Sequence, residues 1–295
     1  MTSKGFRATV PGSTANLGPG FDALGLALAR HDVVELQVTD QGLKVEVFDA
    51  GAGGIADVPT DETHLVVRAI RRACAHLDVR PPGLHLRCFN NIPHARGLGS
   101  SAAAVVSGVA LGYALAGAPL DDEALQLAAE FEGHADNAAA SLLGGLVVAW
   151  CEDGRFHAER VTPAPSIRPV VAVPAVKSST DATRGLLPAH VPHPDAAHSA
   201  GRAALSVLAM TARPELLLAA TEDRLHQDYR ASAYPASTEL VRTLRARGIA
   251  ATISGAGPTV LALTTTGELP PDADVTGFDV AELGVDLAGV QVAAR

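Results

Sequence analysis

Apolar and polar residues alternate in two early runs, Val33-Val34-Glu35-Leu36-Gln37-Val38 and Leu43-Lys44-Val45-Glu46-Val47, the period of half-buried strands. From Glu62 to Leu77 the period becomes helical, with Leu65, Val66, Ala69, Ile70, Ala73 and Leu77 on one face. Pro81-Pro82-Gly83 breaks the chain ahead of another strand, Leu84–Phe89. A Gly/Ser loop at 97–101 then leads into an Ala-rich helix ending near Ala116. Asp121 reads as the N-cap of a helix running to Glu132, with further acids in its first turn. Gly144-Gly145 precedes a strand at Leu146–Trp150. The proline-dotted stretch Thr162–Pro169 is the best domain junction, so the pattern divides the chain into 1–160 and 161–295. Past it come a strand at Val170–Val173 and helices near 179–187, 196–210, 214–226 and 236–247. Two strands, Ile249–Ile253 and Thr259–Leu263, flank Ser254-Gly255-Ala256-Gly257-Pro258. Strands mixed with helices, without regular βαβ spacing, predict an α+β protein.

Composition narrows the function. A length of 295 residues suits two domains, and a net charge of −9 disfavours nucleic acid or an anionic membrane as partner. Gly97–Leu120 carries no charge and is long enough to span a bilayer, yet it is built from Ala, Gly and Ser without flanking basic or aromatic anchors. It reads instead as a buried helix with close backbone packing. Cys74, Cys88 and Cys151 form no CxxC pair and read as reduced core or near-core thiols. The first residues lack the apolar core of a signal peptide, so a cytoplasmic location is expected.

The strongest chemical signal is Pro93-His94-Ala95-Arg96-Gly97-Leu98-Gly99-Ser100-Ser101-Ala102-Ala103. Two glycines allow a tight turn and close approach of a ligand, and the following helix aims free N–H groups at the same spot. Two hydroxyls there can meet phosphate oxygens or a metal-bound water. Gly97-x-Gly99-x-x-Ala102 formally satisfies the dinucleotide fingerprint, but seven residues, Asn90 to Arg96, separate it from the preceding strand. A Walker loop needs a lysine, and the three lysines (Lys4, Lys44, Lys177) lie elsewhere. His190, His193 and His198 are irregularly spaced across Pro192 and Pro194 and read as a solvent-facing loop rather than a metal site.

The 93–103 segment resembles the phosphate-binding motif of the GHMP kinases. Pro11-Gly12-Ser13-Thr14-Ala15-Asn16-Leu17-Gly18-Pro19-Gly20-Phe21-Asp22 is similar to their first motif, and Ile253–Thr259 to their third. Three motifs in order make a specific signal. Glu132-Gly133-His134-Ala135-Asp136-Asn137, Ser179–Arg184 and Arg224–Arg230 further resemble the branch that phosphorylates L-homoserine. The resemblance implies a two-domain architecture, ribosomal-protein-like then ferredoxin-like, with ATP and Mg²⁺, a small-molecule substrate and a possible homodimer. It implies that Asn16 and Asp22 hold the amino acid, Asp22 through its ammonium, while Arg184 and Arg230 take the carboxylate. His134 and Asn137 would line that pocket, with Asn137 and Arg184 orienting the hydroxyl. Pro93, Arg96, Gly97, Leu98, Gly99, Ser100, Ser101, Ala102 and Ala103 would form the phosphate site. Ser101 would hold magnesium with Glu130, Glu132 being the alternative, and Thr180 would bond a phosphate or the metal shell. Two departures stand out: Pro-Gly-Ser-Thr where Pro-Ala-Thr-Ser is commoner, and His64 where an Asn near the adenine pocket is common. The rival readings are another alcohol kinase, a ligand sensor on the same fold and a dinucleotide oxidoreductase.

Overall fold

The computed structural model describes residues 5–176 and 183–295. The chain opens with β1 (Gly5–Asn16) and β2 (Gly20–Thr39), an antiparallel pair that contains the whole first glycine motif. The sequence reading placed strand only at the far end of β2, because Gly, Pro and Ser mask the β pattern in the motif. β2 bends. Its C-terminal half pairs with β4 (Gly83–Asn90), and its N-terminal half pairs with β5 (Leu146–Glu152). β3 (Gly42–Asp49) joins β4 in parallel, and β6 (Arg155–Val161) extends β5.

α1 (Leu65–His76) and α2 (Ser100–Ala116) pack together, with α2 also against β1. α2 is apolar all round because it is enclosed all round, which is why its sequence mimics a membrane span; no helix among the described residues is long and apolar enough to cross one. Contact is close at Gly108, where a Cβ would stand 2.6 Å from both the Val66 carbonyl oxygen and Ala69 Cβ. Cys74 and Cys88 are buried as expected, while Cys151 is exposed.

α3 (Asp122–Ala129) is capped by Asp121, whose carboxylate accepts from Ala124 N–H at 3.1 Å. The helix stops before the expected Glu132: Gly133 adopts φ +78° and its N–H returns to the Ala129 carbonyl at 2.8 Å, a left-handed close that only glycine adopts cheaply. α4 (Asp136–Leu143) follows and packs on β1 and β2.

Residues 162–167 cross to a second, antiparallel sheet ordered β10-β7-β9-β8, from β7 (Arg168–Pro174), β8 (Ala250–Ile253), β9 (Val260–Thr264) and β10 (Phe278–Glu282). β8 and β9 are the strand pair expected around the third motif. Helices α5 (His193–Thr211), α6 (Leu217–Ala220) and α7 (Pro235–Ala246) accompany them. His193 and His198 lie on α5 rather than in a loop, and His198 faces Glu222 at 3.5 Å. The helix expected over 214–226 breaks into a short 3-10 turn and α6, while 179–187 falls partly outside the described residues. Finally β11 (Gln291–Ala294) returns to pair with β1, so the last residues complete the first sheet rather than the second.

Enclosure of α2 at Gly108 gives a stability test. We expect Gly108→Val to lower unfolding free energy by about 2–4 kcal/mol in urea melts, because its atoms meet backbone that cannot move aside.

Candidate functional site

The three glycine motifs, far apart in sequence, are stitched to one another by backbone and buried hydroxyls. Ser13 N–H donates to the Leu98 carbonyl at 3.1 Å, Gly255 N–H to Ala15 at 3.1 Å and Thr259 N–H to Arg96 at 3.3 Å. Ser254 Oγ reaches both Thr14 Oγ1 (2.8 Å) and the Gly97 carbonyl (2.5 Å). Gly97 and Gly99 have φ of +77° and +68°, and a Cβ on either would run into Ser254 or Ser13. Glycine here serves close contact between the motifs.

Around this junction lies a cavity of about 740 Å³. Its walls include Gly97, Gly99, Ser100 and Ser101 on one side and Asp22, His134, Asn137, Arg184 and Arg230 on the other, together with Glu132 and Asp136. Most of the expected site is therefore gathered at one place. Pro93, Leu98, Ala102 and Ala103 are not on the wall; they are buried and anchor the loop and helix. Thr180 lies outside the described residues.

Several assignments change once the partners are known. Asn16 Nδ2 donates to the Gly255 carbonyl (2.9 Å) and its Oδ1 accepts from Asp22 N–H (3.0 Å), so its amide braces the first motif against the third. Arg96 lines the cavity, but its guanidinium is committed to the carbonyls of Pro174, Ala175 and His94 at 2.8–3.0 Å. That clamp ties the loop to the end of β7. Glu130 points away: it meets Arg72 at 3.1 Å on the outer surface. Glu132, past the end of α3 at Ala129, turns inward, and Ser101 Oγ donates to its Oε1.

Asp22 and Arg184, expected to grip opposite ends of a zwitterion, form a two-bond pair at 2.8 and 2.9 Å. Phe21 supports the arginines, with the guanidinium carbons of Arg184 and Arg230 5.3 and 5.4 Å from its ring centroid. Arg230 is only 1% exposed, donates from Nε to the Thr183 carbonyl, and has no carboxylate partner among the described residues. Burial therefore holds its pKa below the usual arginine value, opposed by the charges of Asp22 and Asp223. A buried cation without an anion is a ready receptor for a carboxylate.

Asp136 and Phe21 were overlooked in sequence although both lie inside the quoted motifs; an acid two residues after a histidine was the available signal. Asp136, 1% exposed, accepts from His134 Nδ1 at 2.8 Å. Burial disfavours charge on His134, but the Asp136 hydrogen bond and the nearby carboxylates outweigh it and raise the imidazole to about 8. Asn137 Oδ1 accepts from Ser13 Oγ at 3.0 Å, which fixes the amide at the cavity wall. Burial raises the Glu132 carboxyl, only partly opposed by Ser101, and Glu132 Oε2 is enclosed without a hydrogen-bond partner among the described residues.

A second cavity of about 360 Å³ shares the Ser100 and Ser101 wall and extends beneath loop 54–64 to Asp32 and His64. Asp32 accepts from the N–H groups of Asn91 (2.6 Å) and Ile92 (2.8 Å), yet burial pushes its carboxyl up to about 6.

Two α+β lobes joined at a glycine loop that opens helix α2, with paired charges across the cavity, define a GHMP-type kinase. The description "GHMP kinases N terminal domain" matches residues 64–145, and "GHMP kinases C terminal" matches 208–273. The homoserine kinase of Streptomyces coelicolor is 53% identical over 97% of this chain and 94% of its own length; that of Rhodococcus erythropolis is 51% identical over 97% and 95%. The crystal structure of homoserine kinase from Cytophaga hutchinsonii superposes with a TM-score of 0.85 at 25% identity, covering 99% of this chain and 98% of that one. The chain belongs to the GHMP kinase family, within its homoserine kinase branch.

Asp32 offers a pH test. Its folded pKa lies above its unfolded value near 4, so the stability it contributes is complete below pH 4 and lost as pH rises to about 6. We expect Asp32→Asn to gain stability relative to the parent chain across pH 4–6 and to change little further above that window, read as the difference in Tm.

Proposed function

We propose that this chain transfers the γ-phosphoryl group of ATP to the side-chain hydroxyl of L-homoserine, forming O-phospho-L-homoserine for threonine biosynthesis in the cytoplasm. The observation that carries it is the single cavity in which a phosphate-type glycine loop faces Asp22, Arg184 and Arg230. A free amino acid is a zwitterion, and this wall supplies an acid for its ammonium and two guanidinium groups for its carboxylate. The Asp22–Arg184 pair holds both groups in place and exchanges one protein partner for one substrate partner at each end. Arg230, preset on Phe21, needs no such exchange. The His134 imidazolium, held by Asp136, adds positive charge beside the same wall.

Phosphoryl transfer chiefly requires in-line placement and charge neutralisation. Backbone N–H groups at Gly99–Ser101 and the positive end of α2 provide the neutralisation for the phosphates that a Walker lysine would supply elsewhere. Glu132 fits a magnesium ion: its Oε2 is enclosed and unpartnered, and the Ser101 hydroxyl lies beside it. Bound there, the ion would screen phosphate charge. Asp22 and Asp136 are tied to Arg184 and His134, so among the described residues no free base faces the hydroxyl, and Asn137 and Arg184 orient it instead.

ADP release by the purified protein with Mg-ATP tests this reading, with L-homoserine and then L-serine, L-threonine and mevalonate. Turnover with homoserine alone is expected; turnover only with another alcohol would overturn the substrate, and ATP binding without turnover would favour a sensor. Arg184→Ala and Arg230→Ala should each raise KM for homoserine roughly 10- to 100-fold, the worth of a charged hydrogen bond. Glu132→Gln should lower kcat by about two orders of magnitude, while Glu130→Gln should leave kcat within about twofold, since an exposed ion pair contributes little.

A further inference from the structure

The Arg224–Arg230 motif supplies Arg230 to the cavity wall, and His226 lies four residues earlier in the same motif. Its ring is 1% exposed, and its Nε2 stands 2.7 Å from the Gly18 carbonyl oxygen of the first motif. A carbonyl only accepts, so Nε2 carries the proton and Nδ1 is bare. That bare nitrogen stands 3.4 Å from Arg230 Nη1, which can only donate to it. The two contacts together require the uncharged imidazole, and burial favours that form by lowering the ring's pKa against the opposing pull of Asp223. The ring is held from two further directions. It tilts against Phe21 with centroids 5.2 Å apart, on the same aromatic that supports both guanidinium groups. Asp223 pins the backbone that carries it, accepting from the N–H groups of Leu225, His226 and Gln227 at 2.8–3.0 Å. Arg230 therefore has Nε on the Thr183 carbonyl and Nη1 on His226, while Nη2 has no partner among the described residues. An acid at position 226 would aim the guanidinium as well, but it would also offset the charge, as Asp22 does at Arg184. Imidazole accepts the hydrogen bond without bringing an anion.

We propose that His226 is a positioning residue for the carboxylate end of the substrate: it takes one arm of Arg230 as an uncharged acceptor, so the guanidinium is fixed in direction and keeps its full charge for the ligand. The proposal rests on the homoserine reading above and adds what presets Arg230. It also gives the first motif a share in carboxylate binding, because Gly18 fixes the tautomer and place of the ring to which Arg230 is bonded.

The test is steady-state kinetics on the full chain, varying L-homoserine and Mg-ATP in turn, for the parent, His226→Leu, His226→Gln and His226→Glu. Leu fills the volume without an acceptor, Gln restores an uncharged acceptor together with a donor, and Glu restores an acceptor that carries charge. His226→Leu should raise KM for homoserine roughly tenfold, the worth of one hydrogen bond to a charged group, with KM for ATP and kcat each held within about threefold. His226→Gln should recover most of that loss, whereas His226→Glu should bind homoserine at least as weakly as His226→Leu. A KM for homoserine within about twofold of the parent in His226→Leu overturns the proposal. So does an equal rise in KM for ATP, which a purely structural role would give, or a Gln variant no better than Leu. Should His226→Leu fail to fold, the ranking of Gln over Glu decides alone, and equal KM values in those two overturn the proposal. Absence of homoserine turnover by the parent chain would instead remove the substrate reading on which it rests.

Discussion

The contact on which the site depends is the meeting of three glycine-rich segments at Gly97, Ser254 and Ala15. Each alone is a flexible loop whose ordering costs about 1–2 kcal/mol of backbone entropy per residue. Joined, they share buried hydrogen bonds from Ser254 to Thr14 and Gly97, and from Gly255 to Ala15. Thr14 and Ser254 are fully buried, so loss of any of these bonds leaves polar groups stranded in the interior. The 97–101 loop owes its shape to the other two motifs, and the same junction is one of the links between the two sheets.

Around that junction charge is arranged by burial. The Arg184 of the Asp22–Arg184 pair and Arg230 share one aromatic support, Phe21, at nearly equal distances. Asp136 restrains His134, and Glu132 is enclosed beside Ser101. Acids and cations thus stand in separate bonded pairs, Asp22 with Arg184 and Asp136 with His134, rather than in one cluster. On the proposed function, that separation lets one cavity take a polyanion at one end and a zwitterion at the other.

Small backbone features decide which side chain enters the cavity. Left-handed closure at Gly133 ends α3 at Ala129, and as a result Glu130 faces Arg72 outside while Glu132 faces Ser101 inside. The Arg96 guanidinium, which by charge alone suits phosphate, is drawn to the carbonyls of Pro174, Ala175 and His94. Asn16 is likewise occupied in bracing Gly255.

By itself the sequence determined the mixed α+β class, most helices, the β8–β9 pair and the family, because periodicity and the spacing of glycine motifs are local properties. It also carried the membership of the site, since the residues that meet in the cavity lie on quoted motifs. Only the tertiary structure decided which members are left to face the cavity and which are bonded into the scaffold. Asn16, Arg96 and Glu130 have the right chemistry for the site, but each is also bonded to a partner far off in sequence, Gly255, Pro174 and Arg72 respectively. Residue type sets what a side chain can bond; three-dimensional proximity sets what it does bond. The same limit hid β1 and the first half of β2, which become strand through pairing with each other, with β5 and with β11.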